Sequence, residues 1–388
     1  MNTTSQQTPF EKPSMLLVLL ALLLSFGLVM MASASVEIAD SRYGDPFFFL
    51  KRQAVFIALG LLTLLITLHI PLHWWYKRSS LLLLFAFALL VLVLVPGIGH
   101  KVNGSTRWIN LGLFNLQPSE LAKVFIIMYL AAFLERYTDE VKQHWGSFIK
   151  PLLVLGAAIV LLQLEPDHGA IVILLATGFC MLFLAGAKLH RFFIMLLPCA
   201  AAATYLAISK PYVLARFDSF LDPWAAEYVY GDGYQLTQAL IAFGRGEWFG
   251  VGLGNSIQKL YFLPEAHNDF VLAIIGEELG LVGVALVVSL FCLLVFKALM
   301  IGKAAVQQGN LFAGYLAYGL GLLFAAQAFI NIGVNTGLLP TKGLTLPLVS
   351  YGGASLIVSC FMVALLVRVE YETRCLMAES KTRRGKAV

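Results

Sequence analysis

The chain has 388 residues and a formal net charge of +5, with 59% hydrophobic and only 13% charged residues. A soluble globular domain carries about one-quarter charged residues, and the mean hydropathy here is +0.82. Those values exclude a water-soluble enzyme or a basic nucleic-acid binder and point to an all-α polytopic membrane protein.

In chain order, residues 1–14 are polar and read as a tail. Apolar runs follow near 15–34, 54–70, 79–96, 119–135, 151–164, 167–187, 192–209, 270–296, 312–334 and 350–367, which predicts about ten spans. The first run is about as long as a full span, so no cleavable signal peptide is expected. The run at 151–164 is short, and Glu165-Pro166-Asp167 joins it to the next as a tight hairpin. Lys77, Arg78, Arg136, Lys142, Lys150, Lys188, Arg191, Lys297 and Lys303 fall in one set of loops, and the C-terminal tail is basic. The positive-inside rule then places both termini in the cytoplasm. Segments 35–52, 97–117, 210–268 and 335–349 lie outside. The expected organisation is a tail at 1–14, spans 1–7 within 15–209, a large periplasmic loop at 210–268, spans 8–10 within 269–369 and a basic tail at 370–388. Of the 5 cysteines, four lie in apolar runs and Cys375 lies in the tail, with no disulfide framework and no thiolate metal motif. The aromatic residues of the long loop suit an interfacial belt, or else sugar stacking and lipid contact.

Chemistry concentrates at 263–283, LPEAHNDFVLAIIGEELGLVG. Asp269 stands where a polar loop meets an apolar helix, and Glu277 and Glu278 follow inside apolar sequence. Ionisable groups at membrane depth are functional candidates by default. Asp269 has two readings: a helix cap, or a general base that takes a proton from a sugar hydroxyl. Glu265 and His267 are close enough to orient it, to bind a cation, or simply to line the loop. At 105–123, STRWINLGLFNLQPSELAK, Pro118 suits the first helical turn and Glu120 shares a face with Lys123. That pair is structural, or else Lys123 and Arg107 line a cavity for an anionic head group. Arg107 and Trp108 suit an interfacial anchor. The glycine-rich GRGEWFGVGLGNS at 244–256 lacks the strand and helix of a dinucleotide fold. It is a flexible loop or a backbone cradle for phosphate. KGLTLPLVSYGGAS at 342–355, with Ser350 and Tyr351, reads as a re-entrant or broken helix, or as a packing element. Together Arg107, Lys123, Arg245, Lys259 and Lys342 give the outer half a cationic lining. No group has diagnostic metal spacing.

The chain resembles the SEDS (shape, elongation, division and sporulation) family over roughly 15–374. The matching motifs are RWINLG at 107–112, QPSE at 117–120, PD-G at 166–169, GYQLTQALIAFGRGE at 233–247, G-GLGNSIQKL at 250–260, LPEAH-DF at 263–270, IIGEELG at 274–280 and LPTKGLTLPLVSYGG at 339–353. The PTKGLTLP form is more similar to the division branch than to the elongation branch. The resemblance implies a peptidoglycan glycosyltransferase of the bacterial inner membrane at the division septum, polymerising lipid II and releasing undecaprenyl diphosphate. It makes Asp269 the catalytic carboxylate. It implies substrate contacts among Arg107, Trp108, Glu120, Lys123, Arg245, Lys259, Glu265, His267, Lys342, Ser350 and Tyr351. It also implies a divalent cation (Mg or Mn), with Asp269 a candidate ligand. The implied partners are a class B penicillin-binding protein transpeptidase, FtsI, together with FtsQ, FtsL, FtsB and FtsN. Alternatives are a lipid II flippase and a non-catalytic scaffold that activates the transpeptidase. Two positions depart from the family pattern: Asn268 stands where Thr is commoner, and Glu165-Pro166-Asp167-His168-Gly169-Ala170 replaces the usual QPDLGT.

Overall fold

The computed structural model describes residues 14–102, 105–110, 112, 115–194, 197 and 218–386. Its helices are α1 (Met15–Tyr43), α2 (Phe48–His69), α3 (Leu72–Leu94), α4 (Pro118–Gln143), α5 (Trp145–Leu164), α6 (His168–Leu184), α7 (Tyr234–Gly246), α8 (Val271–Gln307), α9 (Leu311–Asn335) and α10 (Gly353–Lys386). Local chemistry sets many of their ends. Ser14, Asp167 and Asn310 accept backbone N–H groups at the starts of α1, α6 and α9, the ordinary role of such residues at an N-cap. Pro118 opens α4, where its missing N–H costs nothing. Gly44 ends α1 in the left-handed region, at φ 64°.

Among the described residues, seven helices are long and apolar enough to cross a membrane: α1, α2, α3, α5, α8, α9 and α10. The fold is an all-α polytopic membrane bundle. α6 is apolar but shorter. α4 packs against α3, α5, α6 and α9. Buried in protein rather than facing lipid, it tolerates more polar sequence. The expected span at 192–209 lies almost wholly outside the described residues.

Several features depart from the expectations. Segment 35–52 is mostly helical, since α1 runs to Tyr43 and α2 begins at Phe48. Segment 97–117 folds into a small antiparallel sheet of β1 (Gly99–Val102), β2 (Ser105–Asn110) and β3 (Asn115–Leu116). α10 continues through the basic tail to Lys386. The broken helix is not at 342–355, which is an irregular strap leading into α10. It lies in α8, at Gly280, with φ 67° and ψ −164°, a conformation that only glycine adopts readily.

Tertiary contacts sort the loops into two ends. At one end, Leu72 N–H and Arg368 Nε donate to Glu372, Ser14 and Arg374 donate to Glu370, and Lys297 pairs with Glu370. At the other end, the sheet, the α5–α6 turn, the loop before α8 and the strap before α10 converge. The candidate site is there.

Candidate functional site

Asp269 sits one residue before the N-cap of α8. That cap is Phe270, which supplies no side-chain acceptor. A side-chain acceptor comes from another helix instead: Asn335 Oδ1 of α9 accepts the N–H of Ala273 at 3.2 Å, which it shares with Phe270 O at 3.0 Å. The main-chain oxygen of Asp269 accepts from Asn331 Nδ2 and Asn335 Nδ2, each at 2.9 Å. Its half-buried carboxylate accepts no hydrogen bond among the described residues. The helix-cap reading of Asp269 is therefore not the arrangement found.

Around that carboxylate, burial comes first and the charge of Glu265 second in pushing its pKa up to about 7, while the Arg107 guanidinium pulls it down. Desolvation disfavours an ionised carboxylate, and a like charge nearby adds to that. Glu265 holds a left-handed backbone at φ 56° and accepts from the Asn268 side chain. Gly343 of the strap comes close enough that a Cβ there would stand 2.7 Å from Asp269 Oδ2. His267 is buried, with its ring 4.7 Å from Phe49 and 5.9 Å from Tyr351 between centroids. Burial and Arg42 lower its pKa against the opposing pull of Glu265, which favours the neutral imidazole. Tyr351 N–H donates to His267 O at 3.0 Å. Ser350 is buried and its Oγ accepts from Leu346 N–H at 2.9 Å, shaping the strap.

Arg107 lies on β2 and donates through Nε to Glu165 O at 3.3 Å and through Nη2 to Pro166 O. It thus ties the sheet to the α5–α6 turn while its charge reaches Asp269. Trp108 is the next residue on the strand, and adjacent strand side chains point to opposite faces, so the two do not share a surface. QPSE meets PD-G directly: Ser119 Oγ and Gln117 Nε2 donate to Asp167 Oδ2 at 2.8 and 3.2 Å. Glu165 is fully buried with both carboxyl oxygens unpartnered among the described residues.

The remaining cations of the expected lining are not free charges. Lys123 pairs with Glu120 at 2.9 Å inside the bundle, and Gln327 Nε2 reaches Glu120 at 3.5 Å. Arg245 pairs with Glu277 at 2.5 Å and Lys259 with Glu278 at 2.9 Å. Lys342 lies on the strap, half-buried, and is engaged as well. Glu277 also accepts from Ser256 and from the N–H groups of Ile257 and Gln258, and Glu278 from Ser33. These two buried carboxylates hold the 254–259 loop against α8 and α1, which corrects their reading as functional by default.

The glycine-rich loop docks against α8. At the Gly280 break, α8 leaves backbone groups without helical partners. Val251 and Gly252 N–H donate to Glu277 O and Glu278 O, each at 3.0 Å, and Glu247 O and Trp248 O accept from Leu281 and Val282 at 2.9 and 3.2 Å. A Cβ on Gly250 would sit 2.2 Å from Glu278 O, so glycine is what permits this approach. Broken backbone at membrane depth persists only where protein re-satisfies it.

Known proteins supply a second line of observation. The family described as cell cycle protein (FtsW, RodA and SpoVE) matches residues 13–375. The chain belongs to this family. A relative from Thioalkalivibrio sulfidiphilus (strain HL-EbGR7), named "Probable peptidoglycan glycosyltransferase FtsW", is 55% identical over 351 residues, spanning 90% of this chain and 87% of the relative. One of the same name from Hahella chejuensis (strain KCTC 2396) is 52% identical over 350 residues, spanning 90% and 88%. A solved chain described as "Structural coordination of polymerization and crosslinking by a peptidoglycan synthase complex" superposes with TM-score 0.78 at 27% identity, over 94% of this chain and 99% of that one. The rod shape determining protein RodA of Thermus thermophilus shares the fold, with TM-score 0.67 at 24% identity over 93% and 97%.

Within this family member, sequence reasoning missed Asn331 and Asn335. Two amides spaced i, i+4 in an apolar helix were the available signal. Glu165 was also passed over as a chemical group, although its place in a hairpin between apolar runs marked it.

Proposed function

We propose that this chain is a peptidoglycan glycosyltransferase that extends glycan strands from lipid II, with Asp269 as general base. One observation carries the role of Asp269: its carboxylate, unlike those of Glu120, Glu277 and Glu278, accepts no hydrogen bond among the described residues, and unlike the fully buried Glu165 it is partly exposed where the loops converge. A base must be free to accept a proton, and a pKa near neutrality suits that task better than an ordinary carboxylate value near 3.8. The acceptor sugar's 4-hydroxyl gives its proton to Asp269, and its oxygen forms a bond to the donor's anomeric carbon with inversion. The bond from that carbon to the diphosphate oxygen breaks, and undecaprenyl diphosphate leaves with the electron pair. Arg107 and Lys342 are the proposed contacts to donor phosphate. Glu265, His267, Ser350 and Tyr351 are proposed to shape the sugar path.

Among the described residues, no three His, Cys, Asp or Glu side chains converge on a metal-binding point. A divalent cation would be held mainly by the substrate phosphates, as Mg²⁺ commonly is, with Asp269 beside it. Bound there, Mg or Mn would supply positive charge to the leaving diphosphate.

The likeness to a solved peptidoglycan synthase complex supports assembly with a single-span transpeptidase, FtsI. FtsQ, FtsL, FtsB and FtsN complete the proposed divisome, at the septum, with both chain termini cytoplasmic. The test is purified chain with its transpeptidase, given labelled lipid II. Polymer from wild type and none from Asp269→Asn supports the enzyme reading. Movement of lipid II across vesicles that survives Asp269→Asn, with no polymer from either protein, replaces it with transport. Stimulation of the transpeptidase without any polymer leaves only the scaffold.

A further inference from the structure

We propose that Asn331 and Asn335 are positioning residues: acting from α9, they cap the Asp269 helix and clamp its backbone, leaving the carboxylate free for substrate. This rests on Asp269 being the base. The first turn of any helix leaves N–H groups without partners. The usual remedy is a Ser, Thr, Asp or Asn at the N-cap whose side chain accepts from the second or third helical N–H. α8 has Phe270 there, with nothing to offer. The nearest acceptor in sequence is the Asp269 carboxylate, and a carboxylate recruited as a cap has its charge compensated and its direction fixed toward its own helix. Asn335 shares that demand: the third helical N–H, that of Ala273, donates both to Phe270 O at 3.0 Å and to Asn335 Oδ1 at 3.2 Å.

The same two amides set where Asp269 points. Their Nδ2 groups both donate to its main-chain oxygen, which fixes the peptide plane after it and hence its Cβ direction. Asn331 Nδ2 also donates to Leu344 O at 2.5 Å, bringing the strap, with Gly343, up against the carboxylate. Asn335 Nδ2 donates in turn to Asn331 O at 2.9 Å. The amide orientation of Asn335 is settled by its partners: a flip would set its oxygen against two carbonyls and its NH2 against an N–H. Both residues are buried, at 1% and 0% exposure. Buried amides satisfied on every side are costly to replace.

The experiment compares Asn335→Ala, Asn331→Ala and Asp269→Asn in the full chain with its transpeptidase, on labelled lipid II. Folded protein is normalised by co-purified partner and by melting temperature. Misplacing a reacting group by about 1 Å can cost on the order of 100-fold in rate. The expected result for both asparagine variants is a kcat about 10- to 100-fold lower, with KM for lipid II within about twofold. Asn331→Ala keeps the cap, so it serves as the readout if Asn335→Ala does not fold. Wild-type kcat in folded Asn331→Ala, or a loss confined to KM, overturns the inference. If Asp269→Asn is dead while both alanine variants turn over normally, this inference fails and the base reading stands. If Asp269→Asn polymerises normally, the base reading fails first.

Discussion

Glu165→Gln should make this protein more stable at neutral pH and should do so only above the ordinary carboxylate range. Glu165 is buried in the α5–α6 turn with neither oxygen partnered among the described residues. Burial, then the charge of Asp167, pushes its pKa from an ordinary 4.5 up to about 8, against the opposing pull of Arg107. Between those two values the unfolded chain is ionised at this position and the folded chain is protonated. Stability is therefore complete below 4.5, falls as pH rises, and levels off above 8. At about 1.36 kcal/mol per pKa unit, the loss at pH 7 is about 3 kcal/mol. Glutamine has nearly the same shape and no charge, so it escapes the loss. The protonated carboxyl is the closest acidic mimic of glutamine. The assay is the melting temperature of purified wild type and variant in detergent from pH 5 to 9. The gap should open with rising pH, reach several degrees at pH 7 and close toward pH 5. Parallel curves, or a variant less stable at pH 7, would refute the reasoning.

The polymerisation rate should climb as pH rises through about 7, because Asp269 acts only when ionised; a rate flat from pH 5.5 to 8.5 would count against it as base. Gly250→Ala should abolish folding or lower the melting temperature severely, since its Cβ would collide with Glu278 O. Gly254→Ala, at φ 85° with open space around it, should cost only about 1–2 kcal/mol of backbone strain; equal effects in a melting series would show that the loop is not docked as described. Arg245→Ala should lower stability by leaving buried Glu277 without its cation, a loss on the order of 3 kcal/mol. Glu277→Gln on that background should recover part of it. A normal melting temperature with a lower rate in Arg245→Ala would instead restore Arg245 to the leaving-group site.

Much of the bundle was legible without coordinates. Lipid solvates no backbone, so runs of apolar residues long enough to span must be helices, and Pro118 and Asp167 mark where two of them begin. The placing of Asp269 at a loop–helix boundary was legible for the same reason, as hydrophobicity changes abruptly there. The cationic lining was not. Whether Arg245 and Lys259 are free depends on carboxylates 32 and 19 residues away, and nothing in the local pattern says which pairs will meet. What the glycine-rich loop docks on was not legible either, because nothing in its own pattern shows that Gly280 breaks α8 beside it.

By itself, then, the amino-acid order determined a membrane bundle, a few of its helix starts and the carboxylate at its rim, because those follow from hydrophobicity and backbone rules acting over one or two turns. Only the tertiary structure decided which acidic groups are held and which is open. That decision is made by partners distant in the chain, such as Ser33 against Glu278 and Asn335 against Ala273. A hydrogen bond between them depends on how whole helices pack, and no short stretch of sequence encodes that.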